Sequence, residues 1–259
     1  MLDVTKRESL TAIANRCGTD KGSVAKAGHA YTIVYDGLFQ HMRTQPVELL
    51  EIGLQMGGPE IPGGAADRDI TDAPSLRMWR DYFPFAHITG VDISDFSRFE
   101  NEWFTFHRVD CGVASDYDKI TGAFDIIIDD GSHASHHQQL ALAKLFPLLR
   151  PGGLYIIEDL NWQPETYERE LQFVSLTSAT LSDYVRAGYL PPALEGLGGQ
   201  IGPIALYDED QLYAMRKAFN REHDLTPAMP SYIDRRTVRG WLRRKTVGVD
   251  VKLAVIQKI

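Results

Sequence analysis

From Val47 to Asp159 the chain alternates short apolar runs with longer amphipathic stretches. The runs are VELLEIG from Val47, HITGVDI from His87, FTFHRV from Phe104, FDIIID from Phe124 and GLYIIED from Gly153. Each is short enough for a strand and ends in or beside a glycine or an acid, as strands do when their carboxyl ends deliver polar side chains to a ligand crevice. Between them, PSLRMWRDYF from Pro74 predicts a helix with proline near its first position and Trp79 in the core. ASHHQQLALAKLFPLL from Ala134 predicts a second helix, with Leu140, Leu142, Leu145 and Phe146 mostly on one face and RPGG at 150–153 as its stop. The pattern is that of a doubly wound α/β fold, a mostly parallel sheet with helices on both faces.

Two regions depart from this alternation. GGPEIPGGAADRDITDAP, Gly57 to Pro74, is too rich in glycine and proline for a helix or a central strand. It predicts a long surface loop directly after the first strand, where a lid would be useful. Beyond Asn161, PETYERELQFVSLTSATLSDYV and RRTVRGWLRRK predict helices, PPALEGLGG from Pro191 a loop, and GPIALYD and VKLAVIQKI strands. Either LYAMRK at 212–217 or the segment 251–258 can complete the sheet, and the C-terminal segment is preferred.

Composition narrows the function. With 259 residues, 44% hydrophobic and 24% charged, the chain can bury a sizeable core as one domain with decorations. Asp+Glu 35 against Lys+Arg 27 gives a net charge of -8, without the broad basic surface that a nucleic-acid partner needs. No apolar run approaches the ~18 residues of a membrane span, and the charged N-terminus has no secretory apolar core. Cys17 and Cys111 form neither a disulfide framework nor a C-x-x-C site, so a reduced, cytoplasmic compartment is expected.

The candidate chemistry lies where the runs end. LLEIGLQMGG sets Glu51 and Gly53 at a strand-to-loop turn, with Gln55 where a G-x-G-x-x-G motif needs its second glycine. GVDIS ends in Asp92, an acid able to accept two hydrogen bonds from a ribose diol, and RVDCG sets Asp110 in the equivalent place. One acid at a strand end is commonly a helix cap; three in series point to a ligand. Asp129 and Asp130 then end the fourth run, and Glu158 and Asp159 the fifth. Such a cluster is strained by repulsion unless a cation or protons neutralise it, and oxygen-only ligands favour Mg2+ over Zn2+. His133 follows Asp130 closely enough to act as a base near neutral pH. His133 and His137 have the i,i+4 spacing of a zinc hydrolase, but Ala134 stands where H-E-x-x-H needs glutamate. His136 and His137 therefore read as a capped or solvent-facing helix start. Trp162 is a candidate apolar wall against a sugar ring, or an ordinary anchor.

In this order, LLEIGLQMGG, GVDIS and RVDCG resemble the class I S-adenosylmethionine-dependent methyltransferases over roughly Val47 to Asp159. The resemblance implies a Rossmann-like seven-stranded sheet, with Gly53 beneath the methionine portion, Asp92 on the ribose hydroxyls and Asp110 near the adenine edge. Glu51 and Asp129 join these as cofactor-binding candidates. DIIIDDGSHASHHQ with YIIEDLNW is similar to the metal-dependent sugar O-methyltransferases of natural-product and antibiotic biosynthesis, the mycinamicin and macrocin methyltransferase family. That similarity implies Asp130, Glu158 and Asp159 as Mg2+ ligands and His133 as the general base, acting on a sugar hydroxyl that attacks the sulfonium methyl in line.

CGTDKGSVAKAGHAYTIVYDGLF from Cys17 resembles a segment that precedes the first strand in related enzymes and folds over the cofactor. It makes His29, Tyr31 and Tyr35 candidates, Tyr31 for the cofactor. The implied layout is a covering segment at 1–46 and a methyltransferase domain at 47–259, with the insert 57–74 and cap elements at about 163–247. A glycosylated small-molecule substrate and a homo-oligomer are implied with it. A catechol-like acceptor, a non-catalytic S-adenosylmethionine-binding subunit and a relative of the cephalosporin 7-position methylation proteins stay open.

Overall fold

The computed structural model describes residues 7–25, 28–167, 174–226 and 251–259. The helix expected at RRTVRGWLRRK lies outside them. The chain divides into two compact units, one of Met1–Pro46, Ala73–Phe85 and Asp208–Gly248, the other of Val47–Asp72, Ala86–Tyr207 and Val249–Ile259.

The second unit carries the sheet: β1 (Glu48–Ile52), β2 (His87–Asp92), β3 (Phe104–Arg108), β4 (Phe124–Asp129), β5 (Leu149–Ile157), β6 (Ile201–Asp208) and β7 (Val251–Lys258). Their order is β3-β2-β1-β4-β5-β7-β6. β1 pairs in parallel with β2 and β4, β2 with β3, and β4 with β5, while β7 is antiparallel to β5. Strand order reverses between β1 and β4, so the crevice of this sheet opens beyond the carboxyl ends of those strands. Leu50, Ile127, Ile128, Ile156 and Ile157 are fully buried, as strands covered on both faces require. Each such side chain contributes ~1.5–3 kcal/mol relative to exposure. Helix α4 (Ser135–Leu145) packs Leu142 and Leu145 into the same core, joined by Phe146. Within the stretch expected as one helix from Pro164, the described residues form a 3-10 turn at Glu165–Tyr167 and α5 (Thr177–Ala187).

Two expectations, on RPGG and on Asp110, are corrected, and the choice of last strand is settled. RPGG does not lie outside the sheet: Phe124 pairs with Leu149 and Ile126 with Leu154, so residues 150–153 bulge out within β5, with Gly152 at φ 82°. The α-helix ends earlier, at Leu145, and tightens into a 3-10 turn at Phe146–Leu148, where Pro147 has no N–H to continue the α-helical ladder. LYAMRK is helical, inside α6 (Glu209–Glu222), because Asp208 and Gln211 form a capping box at its start. The last strand is therefore β7, the preferred segment. Asp110 lies two residues past the end of β3 instead of closing it.

The first unit holds α1 (Leu10–Cys17), α2 (Tyr31–Phe39), α3 (Pro74–Tyr82) and α6. Ser9 caps α1 by accepting the Ala12 N–H, and Pro74 opens α3. Tyr35, Phe39, Trp79 and Phe83 form a continuous aromatic cluster, with Trp79 in the core as expected. Tyr31 is buried here, stacked on His29 at 5.2 Å and on Tyr35 at 6.4 Å. The Arg216 guanidinium donates to the carbonyls of Ser23, Ala25 and Gly28, pinning the loop before α2 onto α6.

Where β1 turns into the insert, Gly53 has φ 80°, and a Cβ there would lie 2.0 Å from the Asp130 carbonyl oxygen. Gly18 also has φ 80°, with nothing within 4 Å of a Cβ. Gly18→Ala should cost only the backbone term of ~1–2 kcal/mol, whereas Gly53→Ala should cost clearly more in urea unfolding. Equal losses would show that close packing of the β1 turn against Asp130 carries no weight.

Candidate active site

At the end of β2, Asp92 is buried and its carboxylate accepts the N–H groups of Leu54 at 2.9 Å and Ser94 at 2.8 Å. Burial pushes its pKa above the usual carboxylate range, while these two donors and Arg68, 3.8 Å away, pull against that shift. Arg68 comes from the insert, which is a loop as expected. Its guanidinium also donates to Ser94 Oγ at 2.8 Å and to the carbonyls of Gln55 and Met56, so one side chain ties the insert to the glycine turn and to the end of β2. Sequence reasoning missed Arg68, which stands in a loop without a motif. Glu51 is buried within β1, opposite Gly90 and Ile128. Asp110 is half-buried and accepts the Gly112 N–H at 2.9 Å.

The second cluster follows from the β4–β5 register. Asp129 lies opposite Ile157, so Asp130 and Glu158 leave the sheet as neighbours. The Asp130 N–H donates to Ile52 O and the Glu158 N–H to Asp129 O, both at 2.9 Å. Asp130, His133 and Asp159 each present a ligand atom, all within 4.8 Å of one another. The expected metal set of Asp130, Glu158 and Asp159 thus differs from the set that converges here. Glu158 is almost completely buried and stands outside the three, the backbone turning sharply at Asp159 with φ 51°.

Two of the three sit on strained backbone: His133 has φ 59° and Asp159 φ 51°. Positive φ at a non-glycine residue costs energy that the surroundings must offset. Gln163 does so for His133, donating to the His133 carbonyl at 3.1 Å while accepting the Ser135 N–H at 3.0 Å. The Trp162 ring lies 5.0 Å from the His133 ring, and His133 Nδ1 is buried without a hydrogen bond. Lys252 of β7 reaches Asp159, Nζ to Oδ1 3.2 Å. Neither Gln163 nor Lys252 carries a sequence signal, one lying in a turn and the other in an apolar strand.

Asp129, behind these groups, accepts from the Gly131 N–H at 3.4 Å and the Tyr155 hydroxyl at 3.5 Å. Burial pushes its pKa up to about 7, opposed by Gly131, His133 and Tyr155 and reinforced by the Asp130 charge. The reading of His136 and His137 as solvent-facing is corrected for His137. It is buried against Tyr167 at 4.7 Å, and its Nδ1 is bonded to Ser132 Oγ at 2.6 Å.

No family model matches the chain. Mycinamicin VI 2''-O-methyltransferase of Micromonospora griseorubida is 39% identical over 162 residues, 60% of this chain and 37% of the relative. A Streptomyces olivaceus protein, 8-demethyl-8-alpha-L-rhamnosyl tetracenomycin-C 2'-O-methyltransferase, is 39% identical over 160 residues, 59% of this chain and 38% of its own. The chain spans less than two fifths of the length of these curated relatives. Among solved structures, the MycE methyltransferase from the mycinamycin biosynthetic pathway, in complex with Mg, SAH and mycinamycin VI, aligns over 98% of this chain and 55% of that one, with 28% identity and a TM-score of 0.60. A second MycE structure with Mg and SAH gives 0.63.

This is the methyltransferase Rossmann-like fold. The sheet order and the expected seven strands agree with it. Among the described residues no helix is long and apolar enough to cross a membrane.

The raised pKa of Asp129 has a definite sign. The folded protein holds that proton more tightly than the unfolded chain, so its stabilisation is full below about pH 4 and is lost as pH rises through about 7. In EDTA, Asp129→Asn should remove this slope and melt a few degrees higher than wild type at pH 8. Parallel melting profiles from pH 4 to 8 would contradict the assignment.

Proposed function

We propose that this chain is an S-adenosylmethionine-dependent O-methyltransferase that uses Mg2+ and methylates a sugar hydroxyl of a glycosylated natural product. The observation that carries this reading is the convergence of Asp130, His133 and Asp159 at the strand ends of a methyltransferase fold. The similarity to proteins named as O-methyltransferases of a macrolide and of a rhamnosylated tetracenomycin supports the acceptor class.

In this reading Asp92 binds the ribose hydroxyls, Asp110 lies toward the adenine edge and Gly53 runs beneath the methionine portion, with Glu51 and Asp129 supporting them. The donor chemistry fits a hard divalent ion: Asp130 and Asp159 offer carboxylate oxygens, and a shift of Glu158 would add a third. Such an ion, when bound, supplies Lewis acidity toward a sugar hydroxyl. His133 takes the hydroxyl proton on Nδ1, the buried atom that makes no hydrogen bond within the protein. Trp162, its ring 5.0 Å from that of His133, offers an apolar surface to the sugar ring. The same reading holds the protein to be cytoplasmic and homo-oligomeric, with no nucleic-acid or membrane partner; Cys17 and Cys111, both free thiols, suit a reducing compartment.

The test is transfer of a labelled methyl group from S-adenosylmethionine to a panel of macrolide and aromatic glycosides with Mg2+. Methylation of a sugar hydroxyl, lost in EDTA, is expected. His133→Ala should lower turnover by about 10²–10⁴-fold with unchanged S-adenosylhomocysteine affinity. Asp92→Ala should weaken that affinity by about tenfold or more, the loss of a charge-assisted pair of hydrogen bonds. Transfer to catechols in place of glycosides would overturn the acceptor class, and cofactor binding without transfer to any acceptor would favour a non-catalytic subunit.

A further inference from the structure

The antiparallel register that pairs Ile157 with Ala254 brings Lys252 beside Asp159, and the Leu160 N–H donates to the Lys252 carbonyl at 3.1 Å. The lysine is therefore held at this spot by its strand. Its side chain is 6% exposed and that of Asp159 14%. A buried ammonium is costly unless it is paired. Here its partner is one of the three groups that converge beyond β4 and β5, and its Nζ engages one oxygen of that carboxylate at 3.2 Å. From these observations we infer that Lys252 is a built-in counter-ion of the acidic cluster, one that stabilises the protein without metal and sets its affinity for the divalent ion by competing for Asp159. The inference rests on the metal-site reading given above.

The physical basis is charge balance. Asp129, Asp130, Glu158 and Asp159 follow one another at the ends of two paired strands, and fixed positive charge, protons or hydrogen-bond donors must relieve their repulsion when no ion is bound. Lys252 supplies one such charge, 3.2 Å from Asp159. A divalent ion entering among Asp130, His133 and Asp159 must then share Asp159 with the ammonium and bear repulsion from it, so the site binds more weakly than the carboxylates by themselves would.

The test uses the full chain and Mn2+ as the probe, followed by electron paramagnetic resonance, with thermal midpoints in EDTA and in Mn2+. Lys252→Met keeps the length of the buried stem and removes the charge. It should bind Mn2+ at least about tenfold more tightly than wild type, as loss of one nearby unit charge predicts. It should also melt lower in EDTA and recover in Mn2+, while Lys252→Arg should behave as wild type. If Lys252→Met does not fold, Lys252→Gln is judged by the same affinity. Equal or weaker Mn2+ binding by the uncharged variants overturns the role of Lys252 and leaves the metal site standing. Absence of Mn2+ binding in wild type and variants alike overturns the metal site and this inference together.

Discussion

Repulsion among carboxylates at the ends of β4 and β5 is the constraint around which this protein is arranged. Parallel pairing of the two strands, with Asp129 opposite Ile157, sets two acidic pairs side by side in a region that excludes most water. Like charges so close in a low-dielectric setting cost several kcal/mol unless they are relieved. Each relief visible in the structure differs in kind. Asp129 holds a proton to about pH 7 and accepts a hydrogen bond from Tyr155. Asp159 is paired with Lys252, and Asp130 and Asp159 converge with His133 in a geometry that suits a cation.

The surrounding backbone is shaped to keep that convergence. His133 and Asp159 both adopt left-handed backbone, which neither residue type favours as glycine does, and Gln163 holds the His133 turn from both sides of its amide. On the other side of Asp130, Gly53 lets the β1 turn approach the Asp130 carbonyl more closely than any side chain would allow. The glycine turn after β1 and the acidic cluster after β4 thus meet at a close contact that continues the parallel β1–β4 ladder. Arg68 ties the insert to the glycine turn and to Asp92.

Much of this was legible in the amino-acid order. Apolar runs ending in acids identified β1 to β5, because strands buried on both faces need continuous apolar residues and their ends are where polar groups reach a crevice. Of the acids, Asp92 closes β2, while Asp130 and Asp159 follow β4 and β5 by one and two residues. What was not legible depends on register and tertiary contact. Nothing in VKLAVIQKI marks Lys252 as the partner of Asp159; only the antiparallel pairing of β7 with β5 does. Arg68 and Gln163 lie in irregular segments, where a side chain's target follows from the fold and not from spacing. The separation of Glu158 from the converging set depends on the backbone turning sharply at Asp159. The bulge at RPGG escaped because proline and glycine mark irregularity without saying whether it falls inside or outside a strand.

Anomalous diffraction from crystals grown with Mn2+ would show whether the ends of β4 and β5 hold the divalent cation proposed for Asp130 and Asp159. One strong peak is expected about 2.0–2.3 Å from oxygens of both carboxylates, the distance range of hard-cation coordination. A peak elsewhere, or none at these two residues when the ion is present in excess, would contradict that site.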